Sequence, residues 1–401
     1  MGIFEDRESA VRSYCRTWPT VFDRARGSWL YDVDGRAYLD FFTGASALNY
    51  GHNNPGIKQA LLSYLADDRV IHSLDMYTVT KSEFLTAFDE LVLQPRQLDY
   101  RVQFPGPAGT NAVEAALKLA RKTTHRTDVL SFSGAFHGMT LGSLAVTGSN
   151  FHRNGAGVPL PYAVTVPFGS DLAASDVDLD ELAAVIVETV QGEGGINVAP
   201  LEWLAELARQ CEAHGSLLIV DDVQMGCGRT GPFFSFEAAG IKPDIVCLSK
   251  SISGFGLPLA LTLIRSDLDI WKPGEHNGTF RGVNPAFVTG TAALRLYWQD
   301  QALEYGTLAK GQRVASALTE LARSVPGTPM LPRGRGLAHG LAVEHGELAG
   351  KVSAAAFERG LLVETAGPDG EVIKLLPPLT ATDAEIEEGL AILAEAVQTV
   401  C

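Results

Sequence analysis

Charged side chains stand where three apolar runs of a strand's length come to an end. Ala183-Ala184-Val185-Ile186-Val187 is closed by Glu188, Leu217-Leu218-Ile219-Val220 by Asp221 and Asp222, and Ile245-Val246-Cys247-Leu248-Ser249 by Lys250. A charge placed in such a crevice needs an opposite charge beside it. A lone lysine there most simply reaches solvent, but the acidic pair closes the neighbouring run. Gly109-Thr110-Asn111 opens the helical pattern Ala112–Arg121. Free N–H groups at a helix start, next to a hydroxyl, suit a phosphate, although a plain cap is the simpler use. Phe136-His137-Gly138 offers an aromatic face, or only a core ring. A lysine able to form a Schiff base, an acid for a pyridinium nitrogen, a phosphate cradle and a stacking ring are together the needs of pyridoxal phosphate.

The elements that must position these residues follow from periodicity. Leu201 to His214 carries apolar residues at Leu201, Leu204, Ala205 and Ala208, a helical period between two of the strand-like runs. Strand, helix and strand in alternation mark parallel α/β units, and ligands of such sheets gather beyond the carboxyl ends of the strands. The flanks differ. Ser28 to Phe42 reads as a hairpin turned by Asp34-Gly35; Thr291 to Ser324 is a long helical pattern, and Asp383 to Thr399 a final acidic helix. The expected fold class is α/β: a large domain over 51–290 with a mostly parallel central sheet flanked by helices. A smaller α+β domain is expected from residues 1–50 and 291–401 together.

Composition excludes several classes of function. Lys plus Arg is 32 and Asp plus Glu is 47 in 401 residues, so the formal charge is 32 − 47 = −15. Phosphate backbones would be repelled, which argues against nucleic acid. The five cysteines have no C-x-x-C spacing and the nine histidines no H-x-x-x-H pair, so neither a disulfide framework nor a metal site is expected. The apolar runs are too short to span a membrane. MGIFEDRES has no apolar core of a secretory signal, and a cytoplasmic location is expected. Gly226-Cys227-Gly228-Arg229-Thr230-Gly231 satisfies G-x-G-x-x-G, but Asp221 to Met225 separate it from its strand and Pro232-Phe233-Phe234 follows where a helix should open. A dinucleotide site is not expected there.

LLIVDDVQMGCGRTG, with Lys250 standing 29 residues after its first Asp in DIVCLSKSISGFGLP, resembles the class III aminotransferases. These are fold-type I pyridoxal phosphate enzymes. GPAGTNAVEAALKLAR, FHGMTLGSLAVTG, VETVQGEGG and GTFRGVN complete the family's motifs in order, and the likeness runs from about Glu8 to Gly389. The resemblance implies that Lys250 bonds to the cofactor and then shuttles the substrate proton. It implies that Asp221 pairs with the pyridine nitrogen and Gln224 meets the phenolic oxygen. Gly109 and Thr110 would bind the phosphate, and Phe136 would stack on the ring with His137 beside it. Thr279 would complete the phosphate site of a second subunit, making a homodimer. The glycines of 226–231 then become a structural loop.

Departures from the family concern the substrate. Met139 stands where many members have an Arg that grips a carboxylate, and Lys374 where many have an Arg paired with the Glu matching Glu193. A Glu193–Lys374 pair would let one pocket take the α-carboxylate of glutamate in one half-reaction and an amino-alkyl chain in the other. Lysine lacks the bidentate fork of arginine, so the grip should be looser. Arg281 is the candidate for the missing clamp, or else a surface or interface arginine. Trp29 and Tyr77 match positions that line the substrate pocket in relatives; for Trp29 a core position is the alternative.

VRSYCRTWPTVF, GASALNYGHNNP, KPGEHNGTFRG and VIKLLPPLT are similar to a narrower branch of the family. That branch moves an amino group from L-glutamate to L-aspartate 4-semialdehyde, giving L-2,4-diaminobutyrate and 2-oxoglutarate. The same reaction is expected here, between two small-molecule partners. The alternatives are an ω-aminotransferase of the same class with another diamine or amino aldehyde and, more remotely, a nicotinamide dehydrogenase or a binding protein without catalysis.

Overall fold

A computed structural model of the chain describes residues 2–172 and 176–401. Its centre is a seven-stranded sheet in the order Tyr100–Gln103, Leu261–Arg265, Ile245–Leu248, Leu217–Asp221, Leu182–Val187, Asp128–Phe132, Ala163–Val166. Five contiguous strands are parallel, and only Leu261–Arg265 runs against its neighbours. Leu182–Val187, Leu217–Asp221 and Ile245–Leu248 are buried at every position. They therefore read as unbroken apolar runs, as strands covered on both faces do. Val220 pairs with Val187 and Asp221 with Cys247, which brings Glu188, Asp221 and the approach to Lys250 to one edge of the sheet. The helix Gly109–Thr124 lies on that sheet through Ala112, Val113, Ala116, Leu117 and Ala120, and its N-terminus points to the same edge.

Both ends of the chain build the remainder. Trp29–Asp32 and Ala37–Asp40 form the expected hairpin, and Ala37–Asp40 pairs in parallel with Leu361–Leu362. A second sheet holds Leu331–Arg335, Ala338–Ala342, Val372–Leu375 and Glu364–Ala366, all antiparallel. Leu39 and Phe41 share one core with Val314, Leu341, Leu375 and Leu393, so the first and last segments fold as a unit. The helical pattern from Thr291 is two helices, Asn284–Tyr297 and Ala302–Ser324. Ala286, Phe287, Leu294 and Trp298 pack in the large-domain core. A boundary after residue 290 would therefore cut the helix Asn284–Tyr297, whose residues on both sides of 290 pack with the large sheet. Among the described residues no helix is long and apolar enough to cross a membrane, and no cluster of ligating side chains could hold a metal ion.

The glycine-rich loop 226–231 serves the seam between these parts. Arg229 at its centre is fully buried. Its guanidinium donates to Ser46 Oγ at 2.8 Å, Asn49 Oδ1 at 2.6 Å, Leu337 O at 3.0 Å and Pro377 O at 2.6 Å. One side chain thus joins the N-terminal segment, the large domain and the C-terminal segment. Replacing it takes the donor from three buried acceptors, Ser46 Oγ, Leu337 O and Pro377 O, while Asn49 Oδ1 keeps Ser46 Oγ at 3.1 Å. Arg229→Ala should cost more than about 3 kcal/mol of stability by chemical denaturation, and a loss below about 1 kcal/mol would show that the seam holds without it.

Candidate active site

Lys250 does not end its strand but leaves it. The strand stops at Leu248, Ser249 is extended, and Lys250 opens a short 3-10 turn, Lys250–Ser253, with φ of 53°. A non-glycine residue in the left-handed region is strained by roughly 1–3 kcal/mol, and such strain persists only where the surroundings fix it. Here Ser249 Oγ donates to Leu259 O at 2.8 Å and Ser251 Oγ to Ser46 O at 2.7 Å. The kink turns Lys250 into a cavity of about 260 Å³ that is also lined by Gly109, Thr110, Phe136, His137, Asp221 and Gln224. The sequence-expected cofactor residues other than Thr279 are thus brought together. Burial lowers the Lys250 pKa, and the charge of Glu193 opposes that only in part.

Asp221 is oriented by two donors. His137 Nδ1 lies 2.7 Å from its Oδ2, and Val223 N donates to Oδ1 at 3.2 Å. Burial would depress the His137 pKa, but the hydrogen bond and charge of Asp221 reverse this and the net shift is upward. Asp222 points elsewhere and accepts from Ser235 N at 3.0 Å. Glu188, whose strand-end position was visible in the sequence, also lines the cavity; it accepts from Phe136 N at 3.0 Å. Burial pushes its carboxyl up to about 7, so it holds a proton for much of the time near neutrality.

The helix start differs from an ordinary capped one. Its N-cap residue is Ala108, whose side chain can accept nothing, and Asn111 turns back to take Ala108 N at 3.1 Å. Thr110 Oγ1 lies 2.6 Å from Thr140 Oγ1 and 2.9 Å from Ser143 Oγ. Gly138, at φ of 125°, passes so close that a Cβ there would stand 2.6 Å from Thr110 Oγ1. Open N–H groups and clustered hydroxyls make this end of the cavity an anion cradle.

At the substrate side the expected Glu193–Lys374 pair is formed, with Nζ to Oε1 at 2.7 Å. A third member escaped the sequence reading. Glu364 Oε1 lies 2.8 Å from the same Nζ, and strand register sets Glu364 directly opposite Lys374. Its signal was a Glu in the apolar run LLVETA and a Lys in VIKLL, two charges that burial obliges to pair. Lys374 is fully buried, and burial, which would lower its pKa, is overcome by the two carboxylates, so it stays an ammonium. Burial would raise Glu193, but Lys374, Lys250 and a hydrogen bond from Gln224 bring it down to about 2. For Glu364 burial prevails and the carboxyl rises to about 7.

The other expected substrate residues stand apart from this cavity. Trp29 packs against the small-domain core and its Nε1 donates to Glu385 Oε1 at 2.9 Å, which is the core alternative. Tyr77 is fully exposed. Thr279 and Arg281 lie in a short turn on the same outer face, where Arg281 Nη2 meets Asp75 Oδ2 at 2.7 Å. Met139 lines the cavity and leaves that position without a cation.

The residues present fit pyridoxal phosphate. Gln224 Oε1 is a buried acceptor with no protein partner, the helix start carries no side-chain cap, and an acid and an amine face one cavity. The family model described as aminotransferase class-III matches residues 12–397. A diaminobutyrate–2-oxoglutarate transaminase of Nocardia farcinica is 60% identical over 100% of this chain and 94% of its own. One of Halalkalibacterium halodurans is 54% identical over 99% and 96%. Among solved structures, the ornithine aminotransferase of Toxoplasma gondii superposes with a TM-score of 0.88 at 26% identity, over 100% of this chain and 94% of that one. The acetylornithine aminotransferase of Elizabethkingia anophelis gives 0.83 at 25% identity, over 99% and 98%. The chain belongs to the class III aminotransferases, the pyridoxal phosphate enzymes that its sequence resembles.

Proposed function

We propose that the protein transfers the amino group of L-glutamate to the aldehyde of L-aspartate 4-semialdehyde, giving 2-oxoglutarate and L-2,4-diaminobutyrate. The observation that carries this reading is the buried Lys374 behind Glu193, beside Lys250. Glutamate carries a carboxylate on its reacting carbon; the reacting C4 of diaminobutyrate carries none. A cation that Glu193 can cover or release serves both. The identities of 60% and 54% to relatives named for this reaction support it.

When bound, pyridoxal phosphate supplies an electron sink for the carbon that carries the amino group. The chain would hold it with Lys250, with Gly109 and Thr110 at the phosphate, with Phe136 against the ring and with Gln224 at the phenolic oxygen. Asp221, fixed by His137 and Val223, supplies the negative charge that keeps a pyridine nitrogen protonated. Burial lowers the Lys250 pKa and so favours the neutral amine, the form that can take the proton from the reacting carbon. Lys374 grips the glutamate α-carboxylate as Glu193 swings aside.

We further infer a homodimer. Val70, Ile71, Met76, Val79 and Phe280 are each at least half exposed, and Ser73 N donates to Gly282 O, which joins their segments into one apolar face. A second copy would cover this face and bring Tyr77, Thr279 and Arg281 to its neighbour's cavity. The five cysteines are all free, which suits a reducing cytoplasm.

Three outcomes are expected. Lys250→Ala should retain less than about 0.1% of transaminase activity and lose the cofactor absorbance that borohydride discharges in the parent; full activity would overturn the mechanism. Phe280→Asp should sediment as a monomer and lose most activity, whereas a fully active wild-type monomer would remove the dimer. Lys374→Met leaves Glu193 and Glu364 facing each other in a buried site, raising both pKa values above those of the unfolded chain. The folded state then binds more protons than the unfolded one, so stability falls as pH rises from about 5. Denaturation should show a loss of roughly 3 kcal/mol at pH 8 and a smaller one at pH 6; a loss independent of pH would mean that the two carboxylates are not coupled.

A further inference from the structure

Lys374 has two carboxylates and they are not equivalent. Glu193 sits on the turn after Val190–Gln191, lines the cavity, leaves a third of its side chain exposed and also accepts from Gln224 Nε2 at 3.1 Å. Glu364 sits on the strand beside Lys374, with 7% of its side chain exposed, and is fixed by the sheet register. The first stands on a turn at the cavity and is open to displacement by a substrate; the second is held by the strand pairing. Two carboxylates and one ammonium in contact carry a net charge of −1, or of zero when one carboxylate takes a proton. The groups that face Glu364 are Lys374 on the adjacent strand, Glu193 on its turn, Lys250 across the cavity and Tyr14 on the N-terminal helix Tyr14–Thr17. Of the two carboxylates, Glu364 is the one that protonates near neutrality.

Resting on the function proposed above, we propose that Glu364 is a positioning residue whose proton sets how strongly Lys374 draws a carboxylate onto the reacting carbon. With Glu364 protonated, Lys374 is unneutralised once Glu193 swings off, and an anion such as glutamate is favoured. With Glu364 ionised, Lys374 keeps a counter-charge and its pull on a carboxylate weakens. A substrate whose reacting carbon bears no carboxylate gains no such penalty. The balance between the two half-reactions therefore shifts with pH through this one carboxyl.

Glutarate is the probe, a dianion from about pH 6.5 upward that has no amino group to react. Its binding to the holoenzyme, measured by calorimetry at about pH 7.5 in buffers of different ionisation heat, should take up roughly half a proton. Its affinity should fall about fivefold or more between about pH 6.5 and about pH 8.5, since one unit of coupled pKa is a factor of ten. Glu364→Gln should abolish both effects, and Glu364→Asp should keep them. In parallel, the ratio of kcat/KM for glutamate to that for diaminobutyrate should fall about fivefold over the same range in wild type and stay level in the Gln variant. Wild type that binds glutarate without proton uptake overturns the proposal even if the Gln variant does not fold. A wild type without glutamate transamination overturns the function proposed above, while proton uptake still decides the role of Glu364.

Discussion

A charge removed from water must be answered by another charge close by, and the site is a sequence of such answers. His137 answers Asp221, and Glu193 with Glu364 answers Lys374. Compensation is incomplete at Lys250, where Glu193 only partly offsets burial and the pKa falls, and at Glu188 and Glu364, where burial raises the carboxyl. The paired groups serve to orient, whereas the under-compensated amine of Lys250 is the one that can exchange its proton. In the proposed mechanism the reactivity of the amine comes from that deficit of electrostatic compensation.

The fold supplies that arrangement cheaply because parallel strands end together. Register alone brings Glu188, Asp221 and the turn of Lys250 to one edge. Some opposing groups come from loops that leave the same sheet, His137 after Asp128–Phe132 and Glu193 after Leu182–Val187. Lys374 and Glu364 come from the sheet built near the C-terminus, and Arg229 ties the large-sheet part to it through acceptors in the N-terminal and C-terminal segments. The glycine loop that resembles a nucleotide motif is shaped to carry that arginine inward.

What was legible in the sequence follows the same division. Lys250, Asp221 and the helix start at Gly109 could be found because each sits where an apolar pattern stops, a local feature of the chain. Glu364 could not be found in the same way, because its partner is set by pairing between strands that sequence order does not fix. Trp29 is open to two readings in the sequence, a pocket position as in relatives or a core position, and its indole turns to Glu385 and the small-domain core. The helix break at 298–301 was hidden because Asn284–Tyr297 and Ala302–Ser324 keep a helical period on both sides. Periodicity identifies which residues face a core without saying which core it is.

Lys374 and Glu193 approach each other from different domains, one on a strand of the small sheet and the other on a turn beyond the large one. Under the proposed function, recognition of the substrate carboxylate would therefore be a distance between two parts of the chain, not a property of one pocket wall. Substitutions in the small-domain core far from the cofactor, around Leu341 and Ile373 for instance, would alter the preference for one amino donor over another. The cofactor's own grip would be left intact, so evolution could retune the substrate without disturbing the machinery.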